Sequence, residues 1–302
     1  IALPTQMTAV TFTNKAAGEM KERLEQHFGD KKAASHMNIG TFHSLCLKLL
    51  TQWKESRSLI SQGQALHMAS QVIQRLGRAK GARELLQQVS QVKNGKAVEL
   101  TQADQQAVEL YCQQLAKSGC MDFDDILLRT VELLESGREL PEKWRQSLCH
   151  LLVDEFQDIN PVQYRLIRQW SKWTKCLFVI GDPDQSIYGF RGSDAHCFER
   201  FAQDFAPVTQ ISLIENYRST PEILGCALSV ISADGSQRQL KANRAAAKKV
   251  RLLTANSPMS EGIFVAEEIS RLIGGVDMLE AHHSKKIHWD DDTTWGLADS
   301  AI

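Results

Sequence analysis

The feature that most constrains the fold is a pair of short apolar runs that each end abruptly in acid. Leu151-Leu152-Val153 runs into Asp154-Glu155, and Leu177-Phe178-Val179-Ile180 runs into Gly181-Asp182. Runs apolar at every position, instead of every second one, read as strands buried on both faces, which is the situation of a parallel sheet. In such sheets the ligand crevice lies beyond the carboxyl ends of the strands. Asp154, Glu155 and Asp182 are therefore expected at the lip of a site. A hard cation such as Mg²⁺ is typically held by one or two carboxylates plus substrate phosphates, which makes Asp154 a candidate metal anchor. Glu155 beside it is placed to orient and deprotonate a water attacking a phosphoryl group. A lone apolar-Asp-Glu junction is more often a cap or turn, and on that pair alone the bland reading wins.

The pair is not alone. It sits in DEFQD (154–158), and about twenty residues on comes GDPDQSIYGFRG (181–192). This conjunction closely resembles motifs II and III of the UvrD/Rep/PcrA group of superfamily 1 DNA helicases. Gln185 can donate or accept, as a group sensing a terminal phosphate must. Tyr188 and Phe190, with Arg191, put two aromatic faces and a cation on one Gly-rich loop, a platform on which bases stack without regard to sequence. The alternative, that both rings are core residues, is weakened by their place on such a loop after a strand. Many relatives carry Trp where this chain has Phe190.

Further strings resemble the same family in the same order. Residues 7–12 read as a strand and 15–28 as an amphipathic helix with Ala16, Met20 and Leu24 on one stripe, Thr13 and Asn14 falling at its N-cap. A strand running into a helix N-terminus suits a phosphate. TFTNKAAGEM (11–20) looks like motif Ia and TFHSL (41–45) like motif Ib. By that resemblance Thr13, Asn14, Thr41, Phe42 and His43 lie along single-stranded DNA. Residues 54–119 are helical and glutamine-rich, with helices expected at 64–76, 82–92 and 102–117, and look like the family's inserted subdomain. Asp122, Phe123, Asp124 and Asp125 resemble the DFDDLL segment, where the matching phenylalanine follows the DNA strand. The three acids read as a helix cap more readily than as a metal site. Asn160-Pro161 is a cap and first-turn pair.

Two more strands are expected at 208–213 and 249–254, and a helix at 260–273 with Phe264, Val265, Ile269 and Leu272 inward. Between them NYRST (216–220) resembles motif IV. That implies adenine stacking by Tyr217 and a γ-phosphate contact by Arg218, a role suited to a planar, permanently charged fork donor. His282, His283, His288 and Asp290–Asp292 match no standard metal-ligand spacing and read as a polar loop.

Bulk properties are ordinary for a soluble globular protein. The 302 residues can bury a sizeable core in two or three domains, with 43% hydrophobic and 24% charged residues. No apolar run reaches membrane-spanning length, and the N-terminus lacks signal-peptide order. Net charge is −1, so nucleic-acid binding must use a local surface. The seven cysteines are odd in number with no CxxC, which reads as reduced thiols in a cytoplasmic protein.

The resemblance thus implies an α/β, RecA-like P-loop NTPase core with a parallel sheet. The core (domain 1A) takes residues 1–53 and 120–212, the helical insert (1B) 54–119, and the start of a second RecA-like domain (2A) 213–302. It implies ATP and Mg²⁺ as cofactors, single-stranded DNA and single-strand/duplex junctions as partners, no membrane, and 3′→5′ motion driven by ATP hydrolysis. No GxxxxGK[ST] loop occurs in the chain, and the family's motifs V and VI are not seen. The chain reads as a fragment, inactive by itself, of a longer enzyme. The rival readings are the motor of a helicase–nuclease and a DNA-binding paralogue that no longer hydrolyses ATP.

Overall fold

Strand-to-helix units, several of them capped by Thr or Asn at the turn, recur along the first 185 residues and build a parallel sheet. In the computed structural model, residues 2–29, 34–77, 81–186, 196–232 and 239–273 are described. Contacts divide the chain into two units, Ile1–Gln210 and Ile211–Ile302.

In the first unit, β1 (Met7–Thr11) leads into α1 (Asn14–Phe28), and β2 (Asn38–Thr41) into α2 (Phe42–Gln52). The two-residue β3 (Ser58–Leu59) precedes three helices, α3 (Gln62–Arg75), α4 (Ala82–Lys93) and α5 (Gln102–Lys117), and pairs in parallel with β4 (Cys120–Met121) as the chain leaves them. Then follow α6 (Phe123–Glu135), α7 (Glu142–Ser147), β5 (His150–Val153), α8 (Pro161–Ser171), β6 (Cys176–Val179) and α9 (Cys197–Asp204). The main sheet has the order β2-β1-β5-β6, with every pairing parallel.

The register sorts the two faces. Val10, Val153 and Val179 stand in one row across β1, β5 and β6 and, with Leu151 and Leu177, join the large core built by Leu45, Leu49, Ile126, Leu127, Leu166, Ile167 and Trp170. Ala9, Ile39 and Leu152 line the other face under Ala17, Met20 and Leu24 of α1. Ala17, not the expected Ala16, is the buried member of that stripe. The expectation that 177–180 is buried on both faces fails at β6. Phe178 is 49% exposed and Ile180 also faces solvent. β6 is the edge of the sheet, and the thin α1 cover lies over β1 and β2.

Helices α3–α5 have their own core of Ala69, Val72, Leu85, Val89, Ala107, Val108, Tyr111 and Leu115. They meet the sheet unit through a buried charge cluster. Lys93 Nζ lies 2.8 Å from Asp122 Oδ2 and 2.7 Å from Asp125 Oδ1, and the Tyr111 hydroxyl donates to Asp122 at 3.3 Å. Asn94 Nδ2 donates to Asp124 Oδ1 and Asn160 Nδ2 donates to Asn94 Oδ1, each at 2.8 Å. Burial opposes the charge on Lys93, but the two carboxylates more than offset it and raise its pKa above the ordinary lysine value. Removing one partner of such a cluster leaves buried charge uncompensated, at a cost of about 3–5 kcal/mol. Lys93→Met is therefore expected to lower unfolding free energy by about that amount, read by urea denaturation. A loss below about 1 kcal/mol, the value of a surface pair, would mean that water already screens the cluster.

The second unit contains β7 (Glu215–Asn216) paired with β8 (Lys241–Ala242), α10 (Pro221–Ile231) and α11 (Pro258–Leu272). The strands expected at 208–213 and 249–254 do not form. Among the described residues of this unit the only ladder is the short β7–β8 pair, so these apolar segments have no neighbour to complete a sheet. Ile211, Leu213 and Leu252 stay exposed, and α11 forms where expected but buries none of its residues. The polar stretch 282–292 lies outside the described residues.

Candidate active site

Because all four strands of the main sheet run in parallel, their carboxyl ends meet along one edge. The turn after β1, the first turn of α2, the acids after β5 and the loop after β6 share it. Thr13 caps α1, its Oγ1 accepting from Ala16 N at 3.1 Å, and Asn14 is the first helical residue. Thr41 does the same for α2 through Ser44 N at 3.2 Å. Asp154 continues the ladder, its N–H donating to Val10 O at 2.9 Å, so the acid starts where β1 ends.

Asp154 Oδ1 accepts from Glu155 N at 3.0 Å. Burial, with some help from the Glu155 charge, raises the Asp154 carboxyl above the ordinary range. Asp158 is raised for the same two reasons in the same order, and its Oδ1 is buried with no partner among the described residues. No Lys or Arg pairs with Asp154 or Glu155 among those residues. A partly desolvated Asp154 beside a second acid, with no Lys or Arg partner among the described residues, suits Mg²⁺, which needs one or two carboxylates when phosphates and water supply the rest. No group of three or more His, Cys, Asp or Glu gathers as a metal cage among the described residues.

Glu155 has φ 49° and ψ 46°, the left-handed region that a non-glycine residue enters only when its surroundings compel it. The backbone on either side is pinned. Phe156 N donates to Ile180 O at 3.0 Å and Asp158 N to Glu155 O at 2.9 Å. The side chain is pinned too, since Gln157 Nε2 donates to Glu155 Oε2 at 2.7 Å. The other end of the same carboxamide, Oε1, accepts from Asp182 N at 3.0 Å, and the Gln157 carbonyl accepts from Ser186 Oγ at 3.3 Å. Asp182 Oδ2 in turn accepts from Gln185 Nε2 at 2.8 Å. Glu155, Asp182 and Gln185, read separately from two motifs, are thus joined through one buried glutamine that the sequence reading passed over. Its signal was present: an uncharged polar residue in an acidic string that folds onto a sheet edge.

The expected nucleic-acid residues divide. Phe123 opens α6 and is 59% exposed, its ring stacked on His43 with centroids 4.0 Å apart. Burial lowers the His43 pKa to about 4, and its Nε2 has no partner among the described residues, so the imidazole is neutral and serves as backing for that ring. Phe42 does not lie on the expected DNA surface. It is only 4% exposed and stacks on Trp170, so its ring belongs to the core, as the inward start of α2 requires. Tyr188, Phe190 and Arg191 lie outside the described residues. In the second unit, Asn216 Oδ1 accepts from the N–H groups of Arg218 (3.1 Å) and Ser219 (2.8 Å), a side-chain turn that leaves Tyr217 73% exposed.

Fold and site together define an α/β protein with an acid-lined edge at the carboxyl ends of a parallel sheet. A family model described as UvrD/REP helicase N-terminal domain matches residues 2–206, and the chain belongs to that family. It is 32% identical over 305 residues to the ATP-dependent DNA helicase UvrD1 of Mycobacterium tuberculosis (strain ATCC 25618 / H37Rv), covering 90% of this chain and 39% of that protein. Against the ATP-dependent DNA helicase PcrA of Bacillus subtilis (strain 168) the identity is 32% over 294 residues, covering 89% and 39%. A probable DNA helicase II homolog of Rickettsia conorii is 31% identical, covering 90% of this chain and 45% of its own. The chain therefore spans less than half the length of these relatives.

Proposed function

We propose that this chain is part of an ATP-dependent DNA helicase, moving 3′→5′ on single-stranded DNA and opening single-strand/duplex junctions. The observation that carries the proposal is the hydrogen-bonded line Glu155–Gln157–Asp182–Gln185 along the carboxyl edge of the sheet. It ties a hydrolytic acid to a neutral amide suited to sensing the γ-phosphate, the coupling that a nucleotide-driven motor requires. The family membership and the helicase names of the relatives support it. In this reading residues 1–53 and 120–212 are the first motor domain (1A), 54–119 its helical insert (1B), and 213–302 the beginning of the second motor domain (2A).

Asp154 would hold Mg²⁺, which supplies charge neutralisation at the phosphate oxygens. Glu155 takes the proton of the attacking water, Gln185 contacts the γ-phosphate, Tyr217 stacks on the adenine and Arg218 stabilises the transferring phosphoryl group. The 302 residues hold no GxxxxGK[ST] loop, so the chain supplies the acid and sensor side of the nucleotide site. Thr13, Asn14, Thr41, His43 and Phe123 form the DNA side, together with Tyr188, Phe190 and Arg191.

The test is strand separation by the full-length protein on duplexes carrying a single-stranded tail of either polarity. The 3′-tailed duplex is expected to open with ATP and Mg²⁺ and the 5′-tailed one to stay closed. Equal opening of both, or none with ATP hydrolysed normally, would sink the directional motor.

A further inference from the structure

We propose that Gln157 is the positioning residue of the acid site, a clamp that sets the Glu155 carboxylate and the Asp182 loop in one register. The proposal rests on the reading of Asp154 and Glu155 as the hydrolytic acids. Gln157 is 2% exposed, so its carboxamide must find its partners inside the protein. The orientation of that carboxamide is fixed by its neighbours. A backbone N–H can only donate and an ionised carboxylate can only accept, so Oε1 faces Asp182 N and Nε2 faces Glu155.

The surrounding chain is shaped to admit this one side chain. A Cβ on Gly181 would stand 2.2 Å from Gln157 Oε1 and 2.9 Å from Phe156 N, so only glycine lets the β6 loop come this close. The left-handed backbone of Glu155 turns its side chain to the point where Nε2 reaches it. Asp182, held by Gln157 through its N–H, holds Gln185 through its carboxylate. A displacement of Gln185 by a phosphate is therefore transmitted to Glu155 through two short side chains and one backbone amide. A glutamine that merely filled space would need neither the glycine nor a partner on the catalytic acid.

Two substitutions separate the halves of the clamp. Gln157→Glu keeps an oxygen for Asp182 N–H but turns a like charge, in place of a donor, toward Glu155. Gln157→Met keeps length and burial and loses both bonds. In the full-length protein, Gln157→Glu is expected to lower kcat for DNA-stimulated ATP hydrolysis by about 10–100-fold, the usual loss for a supporting partner of a reactive group. The KM for ATP and the slow hydrogen exchange of the Asp182 amide should stay as in wild type. Gln157→Met should lose as much kcat and in addition exchange its Asp182 amide faster by about tenfold or more, because a hydrogen bond that shields it is gone. Glu155→Gln is measured beside them. If Glu155→Gln is inactive while Gln157→Glu turns over at the wild-type rate, the clamp is refuted and the acid reading stands. If Glu155→Gln turns over normally, the acid reading fails and the clamp with it. Loss of kcat in Gln157→Met alone, in step with lost folded protein, would also refute the clamp and reduce Gln157 to a packing residue.

Discussion

Arg218→Ala in the full-length protein is expected to slow ATP turnover by about 10³–10⁵-fold, the range for an arginine that stabilises a transferring phosphoryl group. The structure supplies the reasons for choosing this arginine. Its segment is held by the Asn216 side chain, which accepts from two successive backbone N–H groups, and by Arg244 Nε, which donates to the Tyr217 carbonyl at 3.2 Å. The backbone is thus fixed while the guanidinium is exposed, and no carboxylate neutralises it among the described residues. An arginine pinned at its root and exposed at its tip is available to an anion. Arg218→Lys should restore little, because a lysine ammonium is a point charge and cannot make the planar two-pronged contact. Single-turnover hydrolysis at saturating nucleotide isolates the chemical step. A rate within about twofold of wild type, well under the tenfold that 1.36 kcal/mol represents, would remove Arg218 from the site.

The parts of the fold that could be read from the sequence are those whose causes are local. Asn160-Pro161 and Thr13-Asn14 start helices because side-chain oxygens satisfy the first free N–H groups, and both caps stand where the residues place them. The β5 run ends in Asp154 on the sheet edge for an equally local reason. What was not legible depends on distant partners. Phe178 has the composition of a doubly buried strand, yet its burial depends on a helix that covers β1 and β2 and stops short of β6. Ile211, Leu213 and Leu252 lie in segments of strand composition without strands to pair with among the described residues. Phe42 and His43 look alike as neighbours in one motif, but helix geometry turns the first onto Trp170 and leaves the second under Phe123. Lys93 was invisible for the same reason, since its two aspartates lie about thirty residues on, beyond another helix. The acids Asp122, Asp124 and Asp125 read as a cap, and Asp122 is one, but the burial of a lysine against them depends on the packed insert.

Glu155→Gln is expected to leave nucleotide binding nearly intact while hydrolysis falls by about 10²–10⁴-fold, the contribution of a positioned general base. The substitution is clean at this site for three structural reasons. Glutamine has the size and shape of glutamate, so it asks for no rearrangement around the left-handed backbone. Its Oε1 still accepts from Gln157 Nε2, so the carboxamide line to Asp182 and Gln185 survives. Asp154 keeps its charge and would still hold a metal, so ATP binding should persist. What disappears is only the ability to take a proton. Glu155→Asp makes the complementary case. Aspartate tolerates the left-handed conformation better than glutamate does, and it keeps the charge, but it withdraws the carboxylate by one methylene from both Gln157 and the water. If position matters as much as charge, Glu155→Asp should also lose most turnover, about 10²-fold, as misplacements of an ångström can. Rapid-quench hydrolysis and nucleotide binding, measured on both variants, give the answer. A fast Glu155→Asp beside a dead Glu155→Gln would mean that charge alone is needed. A fast Glu155→Gln would place the base elsewhere on the sheet edge, with Asp158, whose Oδ1 is buried without a partner among the described residues, the first residue to try.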